Sequence, residues 1–149
     1  MIEIAIKVCL RIRTRYEPIK DASVVALVNS GFEADSPQIL IPIKLANELG
    51  FYSRLMEARI ENYGTVAGPV RMYVLPSSVK VWISETDVES PKIVCDTLIS
   101  DTEIEVLISD YLAGKLGIVA EDFRRGFWRL YSDPVDKRRS SYPPQRWVG

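Results

Sequence analysis

Asn29-Ser30-Gly31 is the part of this chain whose residue types and spacing most invite a chemical reading. It follows the nearly all-apolar run Ser23 to Val28 and precedes Phe32-Glu33-Ala34-Asp35. Asn and Gly tolerate positive φ and Ser can bond its own backbone, so the tripeptide is turn chemistry at the end of an interior strand. The chain contains no His. Ser-His-Asp and Cys-His catalysis, His-ligated zinc and imidazole base chemistry are excluded together. Any catalysis has to rest on carboxylates, Lys, Tyr or backbone groups. Cys9 and Cys95 stand far apart in no metal-ligand spacing. They read as two buried free thiols, with a single long-range disulfide as the alternative. No metal site and no cofactor is expected.

The elements that would hold this turn are short and mostly extended. Ile2, Ile4, Ile6, Val8, Leu10 and Ile12 alternate with Glu3, Ala5, Lys7, Cys9, Arg11 and Arg13, the period of a strand with one buried face. Tyr16-Glu17-Pro18 breaks that pattern. Ile39-Leu40-Ile41 predicts another strand, and Pro42 opens a helical stretch with Leu45 and Leu49 four apart and Gly50 as its stop. Alternation from Ser53 to Asn62, a punctuated segment from Tyr63 to Pro69, and Val70, Met72 and Val74 predict a β-hairpin with a glycine-bearing tip. Val79 to Ile83 and Lys92 to Ile99 are two further strand candidates, and Val106-Leu107-Ile108 is a short buried one. Ser109-Asp110 caps a helix with Leu112 and Leu116 on one side and Gly117 at its end. Phe127 to Tyr131 marks a last aromatic strand. Many short strands with two short helices predict a mainly β barrel or sandwich. Val25 to Gly50 and Ile104 to Ile118 repeat a strand-to-helix device, ending Leu-Ala-Asn-Glu-Leu-Gly and Leu-Ala-Gly-Lys-Leu-Gly, which suggests a pseudo-symmetric half-barrel.

Composition bounds the rest. The 149 residues suit one domain, or one domain plus a tail, and 47% hydrophobic residues can fill a core. Net charge is -1, from 19 basic and 20 acidic side chains, so no global field favours nucleic acid or an anionic membrane. The N-terminus alternates rather than showing a leader pattern, and no apolar run is long enough to span a bilayer, which predicts a soluble cytoplasmic chain. Sparse amide and sulfur side chains lean towards a thermophile. Residues 133–149 turn basic and proline-containing and are expected to be poorly ordered unless docked, with Lys137-Arg138-Arg139 as a solvated run. Trp82, Trp128 and Trp147 read as core or interface anchors.

From Ala26 to Asp35, then Ile41-Pro42 and Leu45-Ala46-Asn47-Glu48-Leu49-Gly50, the chain resembles the single-domain retropepsin-like aspartic proteases. Their active-site loop reads Leu-Val/Leu-Asp-Thr/Ser-Gly-Phe/Ala, ahead of a Leu-Pro strand and a helix ending Leu-Gly. Leu107-Ile108-Ser109-Asp110-Tyr111-Leu112 to Leu116-Gly117 is similar to the family's late apolar-apolar-Gly segment and helix. The resemblance covers about Ser23 to Leu130. It implies a retropepsin-like closed β-barrel half over residues 1–132 with one or two short helices, completed as a homodimer. It places Asn29, Ser30 and Gly31 at the catalytic turn, Ser30 bracing the two turns across the dimer axis. It places Phe32, Glu33 and Ala34 on the substrate wall, and Tyr63, Gly64 and Thr65 in a flap over an inter-subunit cleft that takes a peptide or protein.

Two departures matter: Asn29 stands where the family has Asp, and Ser109 where it has Gly. In the family, paired Asp residues share a proton; one carboxylate deprotonates water while the other polarises the scissile carbonyl. Asn is nearly isosteric but carries no titratable proton near neutral pH. The expectation is a catalytically degenerate dimer that binds peptide or acts as a scaffold. The alternative is an active aspartic endopeptidase, with Asn29 an introduced substitution or with an Asp-bearing partner chain. An unrelated β-domain with an interaction face is a third reading.

Overall fold

The computed structural model describes residues 5–29, 31–65 and 68–148. Alternation in the first segment becomes β1 (Ile6–Thr14), with Ile6, Val8, Leu10 and Ile12 fully buried and Arg11 and Arg13 on the outer face. β2 (Asp21–Val28) returns antiparallel along it, Ile6 opposite Val28 and Arg13 opposite Asp21. β3 (Gln38–Pro42) leads into α1 (Ile43–Glu48), a 3₁₀ turn over Phe51–Glu57, and the hairpin of β4 (Arg59–Thr65) and β5 (Gly68–Ile83). β6 (Ile93–Ser100), β7 (Val106–Ile108) and α2 (Asp110–Lys115) follow. β8 (Ile118–Asp122), β9 (Phe127–Leu130) and β10 (Arg139–Ser140) form a separate three-stranded sheet.

The main sheet runs β1-β2-β7-β3-β6-β5, and β5 pairs back onto β1 through Leu10–Ile83 to Thr14–Val79. It is therefore a closed six-stranded barrel, with β4 continuing from β5. Closure removes the edges an open sheet would expose. One long strand makes this possible. β5 pairs with β4 and β6 in its first half, shifts register between Leu75 and Val79, and then reaches β1. The shift carries Ser77 at φ 47, the only non-glycine residue at positive φ among those described, a bulge that bends the strand. Inside, one large apolar cluster joins β1, β2, β3, α1, α2 and Trp128.

Several expectations are corrected in detail. Ser53 to Glu57 is 3₁₀ helix rather than strand; Phe51 at its start is buried while Tyr52 and Met56 face solvent. Val79 to Ile83 is no separate strand but the second half of β5. The repeated strand-to-helix device is present twice. Each helix has six residues and ends on a Leu followed by glycine in the left-handed region, Gly50 at φ 80 and Gly117 at φ 78.

Residues 133–148 take the docked alternative. Arg139 is buried rather than solvated, the reverse of what its basic run suggested. Its guanidinium is bidentate to Asp133 (2.8 and 3.0 Å) and to Asp87 (3.0 and 2.9 Å), with Glu85 at 3.4 Å. The planar fork of Arg suits two carboxylates at once, which is why burial is tolerated. Its hydrogen bonds hold the Asp133 and Asp87 carboxyls well below the usual carboxylate range, and Lys137 adds to the effect on Asp87. Beyond the knot, the tail crosses the outside of the barrel. Tyr142 N–H donates to the Lys7 carbonyl (3.1 Å), Val25 N–H to Gln145 Oε1 (2.9 Å), and Trp147 N–H to the Ile104 carbonyl (2.7 Å). Lys7 is itself buried and pairs with Glu105 at 2.7 Å.

Candidate functional site

β2 and β7 run parallel, with Val28 opposite Ile108. Two parallel neighbours end on the same side, so the segment after Val28 and the start of α2 after Ile108 emerge together. Hydrogen bonds then lace them. Asp110 N–H donates to the Phe32 carbonyl (2.9 Å), and Ala34 N–H donates to Asp110 Oδ1 (3.1 Å).

Asn29 is half-buried, and its Oδ1 accepts from Gly31 N–H at 3.0 Å. Phe32 N–H donates to the Asn29 carbonyl at 3.0 Å, so Asn29 holds both Gly31 and Phe32, one through its side chain and one through its backbone. A Cβ on Gly31 would lie 3.3 Å from Asn29 Oδ1, which makes a small residue the comfortable one. With its acceptor oxygen engaged by an N–H donor, Asn29 has its Nδ2 hydrogens left to offer a carbonyl or a water. It can orient either. It cannot take a proton, because the amide has no basic lone pair at neutral pH.

Ser109 is fully buried and structural. Its Oγ accepts from Leu112 N–H (3.1 Å), capping α2, and from Gln38 N–H (3.1 Å), tying the cap to β3. A glycine there could do neither. The hydroxyl thus ties the helix start to the strand through two hydrogen bonds.

Of the other expected site residues, Phe32 packs with Leu27 and Val70 against the cluster of Leu40, Met72, Val74, Leu98 and Leu107. That small core joins the turn to the base of the β4–β5 hairpin. Ala34 is half-buried and held by Asp110, whereas Glu33 is exposed. Tyr63, Gly64 and Thr65 lie on β4 opposite Val70, Pro69 and Gly68. Their side chains, Ser30 and the hairpin tip at 66–67 lie outside the described residues, so the bracing role of Ser30 and the covering role of the hairpin do too. Asp110 is the positioning residue that sequence reading passed over. An Asp directly after an N-cap Ser looked like an ordinary helix start, and only the approach of Ala34 reveals its second role.

A groove of about 500 Å³ is walled by Trp82 to Thr86, Val88 to Ser90 and Lys92 and takes no wall from residues 29–34. Cys9 and Cys95 are both free. Burial, with Asp96 nearby, pushes the Cys95 thiol up to about 12, and burial and Glu85 raise Cys9. Among the described residues no three His, Cys, Asp or Glu side chains converge as metal ligands, and no helix is long and apolar enough to cross a membrane. No protein-family model matches the chain, and no curated protein matches its sequence.

Proposed function

We propose that this chain is a retropepsin-like half-barrel which pairs with a second copy and holds a peptide in the cleft between them, without hydrolysing it. The observation that supports this best is the parallel β2–β7 pair, which presents the Asn29 turn beside the capped start of α2 at one end of a closed barrel. In this reading Asn29, its side-chain oxygen on Gly31 N–H, puts an amide where the dyad acid would stand. Two such turns facing each other could fix a water or a peptide carbonyl through amide hydrogens. Neither could act as the general base, a role worth about 10²- to 10⁴-fold in rate. One chain supplies one turn, so the cleft is completed only by a partner.

The test compares the chain with Asn29→Asp on an unfolded protein substrate at acidic pH, with and without an active-site-directed aspartic-protease inhibitor. Sedimentation is run on both. The expected result is a two-chain mass for each, and inhibitor-sensitive cleavage by the Asn29→Asp variant alone. Inhibitor-sensitive cleavage by the chain as it stands would overturn the degenerate reading. A monomeric mass with no cleavage by either would overturn the retropepsin-like one.

A further inference from the structure

The near-zero net charge conceals a segregated face. On the outside of the barrel, β1 presents Arg11 and Arg13, with Arg15 just beyond it; β5 presents Lys80 and Trp82; and Lys92 and Val94 stand at the start of β6. Arg13 lies opposite Lys80 and Arg11 opposite Trp82, so these side chains form one surface. Trp82 is its centre. The Arg13 guanidinium sits 5.1 Å from the indole centroid and the Lys92 ammonium 5.0 Å from it.

Two carboxylates, on β2 and β6, answer the five cations, and Glu85 and Glu89 share the groove that Trp82 and Lys92 wall. Asp21 is bound by Arg13 and Arg11, and Asp96 is occupied by Ser77 N–H and the Ser36 hydroxyl. Arg15 spends one N–H on the Ser77 carbonyl. Lys80 and Lys92 make no ion pair among the described residues. Gathering cations around one indole carries a repulsive cost that a bound anion would relieve. Same-face neighbours on a strand are about 6.6 Å apart and adjacent strands about 4.8 Å apart. A lattice of that mesh can contact several phosphates of one strand at a time. An indole among guanidinium and ammonium groups is also the combination that grips single strands, through phosphate charge and base stacking. A membrane surface is disfavoured, since among the described residues Val94 is the one large aliphatic side chain exposed on this face.

We propose that the outer face of β1, β5 and β6 around Trp82 binds single-stranded nucleic acid, with Arg11, Arg13, Lys80 and Lys92 on phosphates and Trp82 against a base. This goes beyond the cleft at Asn29 and does not depend on it.

The probe is a fluorescein-labelled single-stranded oligonucleotide of about 16 nucleotides, followed by anisotropy between about 50 and 200 mM salt. Lys80→Glu with Lys92→Glu alters two exposed groups that make no ion pair among the described residues, and Trp82→Phe keeps an aromatic in place. Arg124→Glu, on the β8–β9 turn, is the distant control. The double variant should bind at least tenfold more weakly, with a log–log salt slope reduced by about 1.4 for two lost phosphate contacts. The Trp82→Phe variant should bind more weakly with an unchanged slope, and the control should match the parent. No binding by the parent at low salt would overturn the proposal, as would equal binding by parent and double variant. Tighter binding of labelled polyglutamate than of the oligonucleotide would assign the face to an acidic protein instead, and also overturn it.

Discussion

Arg139 concentrates more of the fold's electrostatics than any other residue described. Its side chain is 7% exposed and that of Asp133 only 5%, so the charges are stabilised by one another and not by water. Replacing Arg139 with Met fills part of the space but leaves the buried Asp133 without its cation, while the more exposed Asp87 keeps Lys137. A buried pair broken on one side costs about 3–5 kcal/mol, and the urea midpoint should fall accordingly at neutral pH. The pH dependence follows from the direction of the shifts. Asp133 and Asp87 have folded-state pKa values below their ordinary ones, so their contribution is complete above the ordinary carboxylate range and lost as pH falls through the depressed values. The gap between parent and Arg139→Met should therefore be full above the ordinary carboxylate range, about pH 4, and shrink only as the pH falls below it. A gap that closed by about pH 5 would count against the knot. Tyr142 sits beside it, its hydroxyl donating to Glu85; that bond, with burial, pushes the phenol up to about 12.

At the scale of the element, Ser109 shows how one hydroxyl organises a helix and a strand together. Ser109→Ala removes the cap on Leu112 N–H and the partner of Gln38 N–H in one step. The expected cost is about 2 kcal/mol, read as a lower thermal midpoint, with Ser109→Thr retaining most of the stability. The capped helix was legible beforehand, because Ser-Asp ahead of Leu112 and Leu116 is a start signal that needs no tertiary context. So were β1, β2 and β3, whose alternation or β-branched runs match their burial. β8 was not, since Ile118 to Asp122 belongs to a small sheet in which no residue of the strand is fully buried. The 3₁₀ turn at Phe51–Glu57 imitated a strand because Phe51 and Leu55 pack inward while Tyr52 and Met56 do not. The length of β5 was hidden by the bulge at Ser77, which shifts its register between Leu75 and Val79. At the candidate site the turn chemistry of Asn29 and Gly31 was visible, whereas the grip of Asp110 on Ala34 spans 76 positions and leaves no local trace.

For the whole molecule, the strap of residues 141–148 matters as much as the barrel's own closure. Ending the chain at Ser140 retains the Arg139 knot but removes the partners of two strand amides. Lys7 N–H donates to Ser141 Oγ at 2.9 Å, and Val25 N–H to Gln145 Oε1 at 2.9 Å. Hydrogen exchange should accelerate at Lys7 and Val25 in the shortened chain, while Leu10 to Ile12, paired on both sides by β2 and β5, should stay protected. Equal rates in both chains would mean that the strap rests on the barrel without holding it. The same contacts set an order of events at birth. Ser141 reaches Ala5 and Lys7 across separations of 136 and 134 residues, so residues made late complete the surroundings of residues made well before them. The start of β1 must wait, one edge unpaired, until residues 141–145 have emerged. Such a chain is most vulnerable to association with its neighbours in that interval, and a folding helper that shields one extended edge would act on it then.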